Sequence, residues 1–122
     1  MKVTSKAWDS NNHLWWYQLE FQYSGEWYRL YTTDHRIDVD ASSVPEEPRV
    51  GDPLDTRKSL GEHEVYYGPG EEYARVKNAL IYEGSRCDIY AIENEWAMVD
   101  YYDYARDVKR RGWIPLNLLY AN

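Results

Sequence analysis

Trp96-Ala97-Met98-Val99-Asp100-Tyr101, with Arg111-Gly112-Trp113-Ile114-Pro115 returning after a short gap, decides the fold class. Successive side chains of a β-strand face opposite sides. Ala97, Val99 and Tyr101 therefore form an inward row, and Trp96, Met98, Asp100 and Tyr102 an aromatic-rich outer one. Working outward, short runs of Val, Ile, Tyr and Trp recur between Gly, Asn and Pro, and few windows repeat apolar residues at helical spacing. The chain is expected to be all-β. The strands read from this pattern are Val3 to Trp8, Trp15 to Tyr23, Glu26 to Thr32, Glu64 to Tyr66, Ala79 to Tyr82, Arg86 to Ile92, Trp96 to Tyr102 and Lys109 to Pro115. The turn signals between them are Asn11-Asn12, Ser24-Gly25, Gly68-Pro69-Gly70, Glu83-Gly84 and Glu93-Asn94, and a short helical turn fits Glu71 to Arg75.

Trp16-Tyr17-Gln18-Leu19-Glu20-Phe21 matches Trp96 to Tyr101 position by position. Each is followed by a basic-aromatic return, Arg29-Leu30-Tyr31 in the first case and Arg111-Gly112-Trp113 in the second. Such self-similarity points to two copies of one supersecondary unit. Alternation puts Leu19, Phe21 and Tyr23 on the apolar face, and Trp16 with Gln18, Glu20 and Gln22 on the wetter side. The alternative is that a neighbouring strand, the linker or the other copy covers Trp16 and Trp96. Between Asp40 and Lys58, Pro45, Pro48 and Pro53 stand among acidic and small residues, the composition of a linker.

The 122 residues suit one ordinary domain or two very small ones. Aromatic residues make up 16% of the chain, with 13 Tyr and 6 Trp against one Phe, so much of the apolar surface carries a polar handle of the kind favoured at binding surfaces. A net charge of −7 argues against nucleic acid and anionic membranes, which are bound through clusters of Lys and Arg. Lys109-Arg110-Arg111 is short enough to be a solvated hairpin strand. No stretch approaches the roughly 20 apolar residues needed for membrane insertion, and Met1 to Ser10 lacks the apolar core of a signal peptide. Cys87 is the single cysteine, and its alternation with Ile89 and Ala91 puts it on a core face.

The residues offer little to catalysis. His35 and His63 are only distant bases for Cys87. The three histidines lack zinc spacing, and Asp34, Asp38 and Asp40 lack the glycine turn and terminal carboxylate of a calcium loop. Glu93 and Glu95 form a carboxylate pair, but they sit in a turn signal. The expectation is a chain that is no enzyme and uses no cofactor or metal.

Val65-Tyr66-Tyr67-Gly68-Pro69-Gly70 through Tyr73, then Tyr82-Glu83-Gly84-Ser85, then Asn94 to Val99, then Arg111 to Pro115 follow in an order that resembles the bacterial SH3-like domains. Gly112 to Leu119 also resembles the last strand and 3₁₀ turn of eukaryotic SH3 domains, with Leu118 where an aromatic usually stands. Glu64 and Tyr66 replace the Asn and Arg common in the bacterial family. The resemblance implies an SH3-like small barrel at 61–122, preceded by a partial SH3-like β-hairpin unit at 1–43 and a Pro-containing linker at 44–60. About 40 residues bury too little surface to fold alone. The first unit is therefore expected to pack on the barrel or to be completed by sequence outside this chain, and Arg36-Ile37-Asp38-Val39 is the candidate closing strand.

The resemblance also implies cell-wall or peptide targeting and an extracellular or cell-surface location. The expected function is a non-catalytic binding module. Its aromatic groove is expected from Tyr67, Tyr73, Trp96, Tyr102, Trp113 and Pro115, with Trp16 in the equivalent place of the first copy, and its ligand is an extended peptide or a peptidoglycan fragment. The alternative is a structural or interaction domain whose aromatics form an interface between the units or in a homodimer. A third arrangement lays the Pro-containing linker in the barrel's own groove.

Overall fold

The computed structural model describes residues 2–36, 45–46 and 53–120. Strands β1 (Lys2–Asp9), β2 (Leu14–Tyr23) and β3 (Glu26–Thr33) form an antiparallel meander. Strands β4 (Asp55–Lys58), β5 (His63–Tyr66), β6 (Arg75–Ile81), β7 (Arg86–Glu93), β8 (Trp96–Asp103) and β9 (Val108–Pro115) form a six-stranded sheet in the order β4-β7-β8-β9-β5-β6, and a 3₁₀ turn follows at Leu116–Leu118. The chain is all-β, and its described strands lie in two sheets rather than in a closed barrel. Of the expected closing strand at Arg36-Ile37-Asp38-Val39, all but Arg36 falls outside the described residues, as does most of the linker ahead of Pro53.

Two-residue turns set the hairpin registers. Ser24-Gly25 joins Tyr23 to Glu26 and Asn94-Glu95 joins Glu93 to Trp96, with φ of 51° and 82° in the first turn and 53° and 65° in the second. Positive φ at both positions is the turn geometry whose twist matches that of the flanking strands. Glu93 is still paired, so the second turn begins one residue later than its sequence signal. The inward row of β8 forms as alternation requires, with Ala97, Val99 and Tyr101 buried beside Val65, Ile81, Cys87, Ile89 and Ile114. Gly112 lets β9 approach β5 closely, since a Cβ there would overlap Val65.

Three expectations change. A bulge at Tyr90, between the pairs Ile89–Val99 and Ala91–Met98, turns Ala91 out of the Cys87 core and onto the opposite face with Met98 and Trp113. Asp55–Lys58, assigned to the linker by composition, pairs with β7 as an edge strand. An edge strand is held by backbone bonds on one side and tolerates charged residues. No helical turn forms at Glu71 to Arg75; Tyr73 bridges to Trp27, and Arg75 already begins β6.

The likeness between the two hairpins extends to a third strand. Val3 pairs with Leu19 and Ser5 with Gln18 around a bulge at Thr4, just as Ile89 and Ala91 flank the bulge at Tyr90 opposite Val99 and Met98. The meanders β1-β2-β3 and β7-β8-β9 therefore share a register and a bulge position. They pack with their outer faces together. Gln18, expected on the wet side, is 4% exposed, because its amide reaches Met98 Sδ at 3.7 Å. The Tyr31 hydroxyl donates to the same sulfur at 3.4 Å. Trp16 lies beyond this contact and remains 37% exposed.

Candidate ligand groove

Strand β3 runs beside the loop between β5 and β6. Trp27 N donates to Glu72 O at 3.3 Å, Arg29 N to Tyr67 O at 3.2 Å, and Ala74 N to Trp27 O at 2.8 Å. The loop thus adds to the edge of the first meander by backbone bonds. Its Gly68-Pro69-Gly70 turn brings Tyr73 back over Gly68, where any Cβ would overlap the ring. Tyr73 donates its hydroxyl to Glu20. Burial, with that bond, pushes the phenol pKa up to about 12.

Arg29 fills the space between the sheets, and its side chain is 8% exposed. Its Nε donates to Glu20 at 2.9 Å, while Nη2 and Nη1 donate to the two oxygens of Glu93 at 2.8 and 3.3 Å. Its Cζ stands 5.5 Å from the ring centres of both Tyr73 and Trp113. Burial opposes the charge, but the bonds to Glu93 and Glu20 outweigh it and leave the guanidinium pKa raised. Arg111 occupies the matching place in β9, with Nε donating to Asp100 at 2.6 Å and Cζ lying 4.2 Å from the Tyr90 ring. Each sheet thus carries a cross-strand ion pair, Glu20–Arg29 in the first and Asp100–Arg111 in the second, and Arg29 reaches across to Glu93. Cavities of about 190 and 200 Å³ lie on either side of Gln18, Arg29, Met98 and Trp113.

The residues expected in the groove divide into two groups. Trp113 is 4% exposed beneath Arg29. Trp96 is half-buried, pairs across the strands with Pro115, and meets the Tyr66 ring edge-on at 5.0 Å. Arg75, held by Glu64 at 2.7 Å, covers Tyr66 with its guanidinium 5.9 Å from the ring centre. Tyr67 tilts against Tyr28 at 5.2 Å. Tyr67, Tyr73, Trp96, Trp113 and Pro115 therefore gather about the 66–75 stretch. Tyr102 lies elsewhere, 4.7 Å from Tyr104 at the β8–β9 tip. Trp16 is also apart, donating its indole N–H to Asp9 at 3.2 Å.

Sequence reading missed Tyr66, Glu20, Arg29 and Glu93. A signal for the ion pair was available, since Glu20 and Arg29 stand in the first copy where Asp100 and Arg111 stand in the second. Glu93 carried none beyond its turn. On the outer side of Tyr73 an open cleft of about 590 Å³ is lined by Glu26, Tyr66, Glu71, Tyr73 and Arg75. Aromatic walls with acids at the rim suit a flat or extended ligand bearing amino groups. Cys87 lies remote from it, buried, with its thiol pushed up to about 11 by burial and then by Asp88. Among the described residues, no group of three or more His, Cys, Asp and Glu is placed to hold a metal ion. No family model, curated protein or solved structure matches the chain.

Proposed function

We propose that the chain is a non-catalytic binding module, its six-stranded part an SH3-like unit, and that its ligand is an extended peptide or the peptide portion of a cell-wall fragment. The open cleft carries this reading. Tyr73 supplies a flat wall, Tyr66 a second one that Arg75 covers in part, Glu26 and Glu71 line the same cleft as acceptors for amino groups, and Trp96 with Pro115 continues the aromatic row from Tyr66. Rigid rings give contact area at little cost in side-chain entropy. The SH3-like assignment is supported by the order of the Gly-Pro loop, the Trp-led strand and the Gly-Trp strand, followed by a 3₁₀ turn after Pro115. A cell-surface setting belongs to the same reading.

Pull-down on purified peptidoglycan, with titration of its soluble peptide fragments, tests the proposal. The wild type should bind, and Tyr66→Ala and Trp96→Ala should each weaken binding by roughly tenfold, as removal of an aromatic anchor does. A wild type that binds neither the polymer nor its peptides ends it. The burial of Trp113 under Arg29 supports a second reading, in which the aromatics serve the contact between the sheets. Under that reading the same two substitutions lower the melting temperature and there is no ligand to lose.

A further inference from the structure

We infer that the groove beside Tyr73 and Trp113 is an arginine-selective site for an extended strand, and that β3 is its tethered occupant. The inference rests on the binding-module reading and names the chemistry of the ligand. Nearly the whole site belongs to the six-stranded part of the chain. Tyr73 and Trp113 each set a ring centre 5.5 Å from the guanidinium carbon, Glu93 receives two of its N–H groups, and the 67–74 loop offers Tyr67 O and Glu72 O as acceptors and Ala74 N as a donor. Only Glu20 comes from the meander that delivers Arg29.

Arginine fits this arrangement and lysine does not. A guanidinium is planar, stacks on rings and donates two parallel N–H bonds to one carboxylate, whereas an ammonium has neither the plane nor the fork. The occupant is also replaceable. The sheets meet through the Arg29–Glu93 pair, the bonds of Gln18 and Tyr31 to Met98, and the backbone bonds between β3 and the 67–74 loop. Charges at such a contact recover little beyond what water gave them, so a ligand of the same chemistry competes on nearly equal terms. Its handicap is the tether. Covalent attachment to the same chain keeps β3 at the site and lowers the apparent affinity of any external strand. The net charge of −7 draws arginine-bearing partners toward the chain.

The test uses the full chain and a fluorophore-labelled peptide, acetyl-Glu-Trp-Tyr-Arg-Leu-Tyr-amide, which copies residues 26–31. A twin peptide carries citrulline, neutral and of the same shape, in place of the arginine. Anisotropy titrations compare wild type, Arg29→Ala and the double variant Arg29→Ala/Glu93→Gln. Arg29→Ala should bind the arginine peptide about tenfold more tightly than wild type and prefer it about tenfold over the twin, and Glu93→Gln should remove the preference. Equal binding of the two peptides by Arg29→Ala overturns the arginine selectivity and leaves the binding-module reading standing. Binding of neither overturns the inference, while the peptidoglycan pull-down of the same variant reports separately on the module. Should circular dichroism show Arg29→Ala unfolded, the wild type decides by NMR. Excess arginine peptide must then shift the Arg29 Nε–H and Trp113 indole resonances saturably where the twin does not, and unmoved resonances overturn the inference.

Discussion

Tyr101 and Tyr73 put the same hydroxyl into opposite circumstances. Tyr73 donates to Glu20, whereas the Tyr101 oxygen is buried with no partner among the described residues, and burial pushes its pKa up to about 12. An unmade bond in the interior costs more than the oxygen returns. Tyr101→Phe should therefore leave stability unchanged or raise it by up to about 1 kcal/mol in urea melts. Tyr73→Phe, which strips Glu20 of a donor, should lower it by about 1 kcal/mol. A loss at Tyr101 as large as that at Tyr73 would contradict this account. Alternation along β8 was enough to turn Tyr101 inward. Nothing near Tyr73 in the chain announced Glu20, because that partner arrives from another sheet.

At the scale of the element, hairpins were easier to read than the strands flanking them. The turn at Ser24-Gly25 and the Trp-led strands carry local signals, and their registers follow from two-residue loops. The bulges at Thr4 and Tyr90 carry none, since a bulge answers to the packing on both faces of a finished sheet. That is why Ala91 was assigned to the wrong face. Strand β4 escaped for another reason, because an edge held by backbone bonds need not be apolar. The Asn94-Glu95 turn yields a prediction at this scale. Glu95 sits at φ 65°, where a side chain is strained and glycine is not. Glu95→Gly should raise stability by roughly 1 kcal/mol without altering the Glu93–Trp96 pairing. Thermal melts would reveal it, and a fall in melting temperature would mean that the Glu95 side chain stabilises the turn in some other way.

For the whole molecule, the decisive feature is that ion pairs stand where the two sheets come together, with Arg29–Glu93 reaching from one to the other. A net charge of −7 excludes classes of partner without saying where the acids sit, and the structure sets Glu20, Asp100 and Glu93 against arginines. This makes the assembly sensitive to acid. Burial alone would raise the Glu20 carboxyl, but the bonds from Tyr73 and Arg29 prevail and hold it below its usual 4.5. Asp88 and Asp103 are likewise held below their usual 3.8, against burial, by Thr56 and Arg86 in the first case and by Arg110 and Arg106 in the second. A carboxyl that is more acidic in the folded chain stabilises it fully above the unfolded pKa and ceases to do so as pH falls through the folded one. The urea midpoint should therefore stay level from neutrality to about pH 5 and decline below about pH 4.5. Glu20 is the one of the three at the contact between the sheets, so Glu20→Gln should start less stable and decline less between about pH 5 and pH 3. An identical decline in that variant would assign the acid response to Asp88 and Asp103 within the six-stranded sheet and to Asp9, which bonds from Asn12 and Trp16 also hold below its usual 3.8. A shallower one would show that protonating a single carboxyl loosens the hold on Arg29, the same contact that an arginine-bearing strand would have to displace.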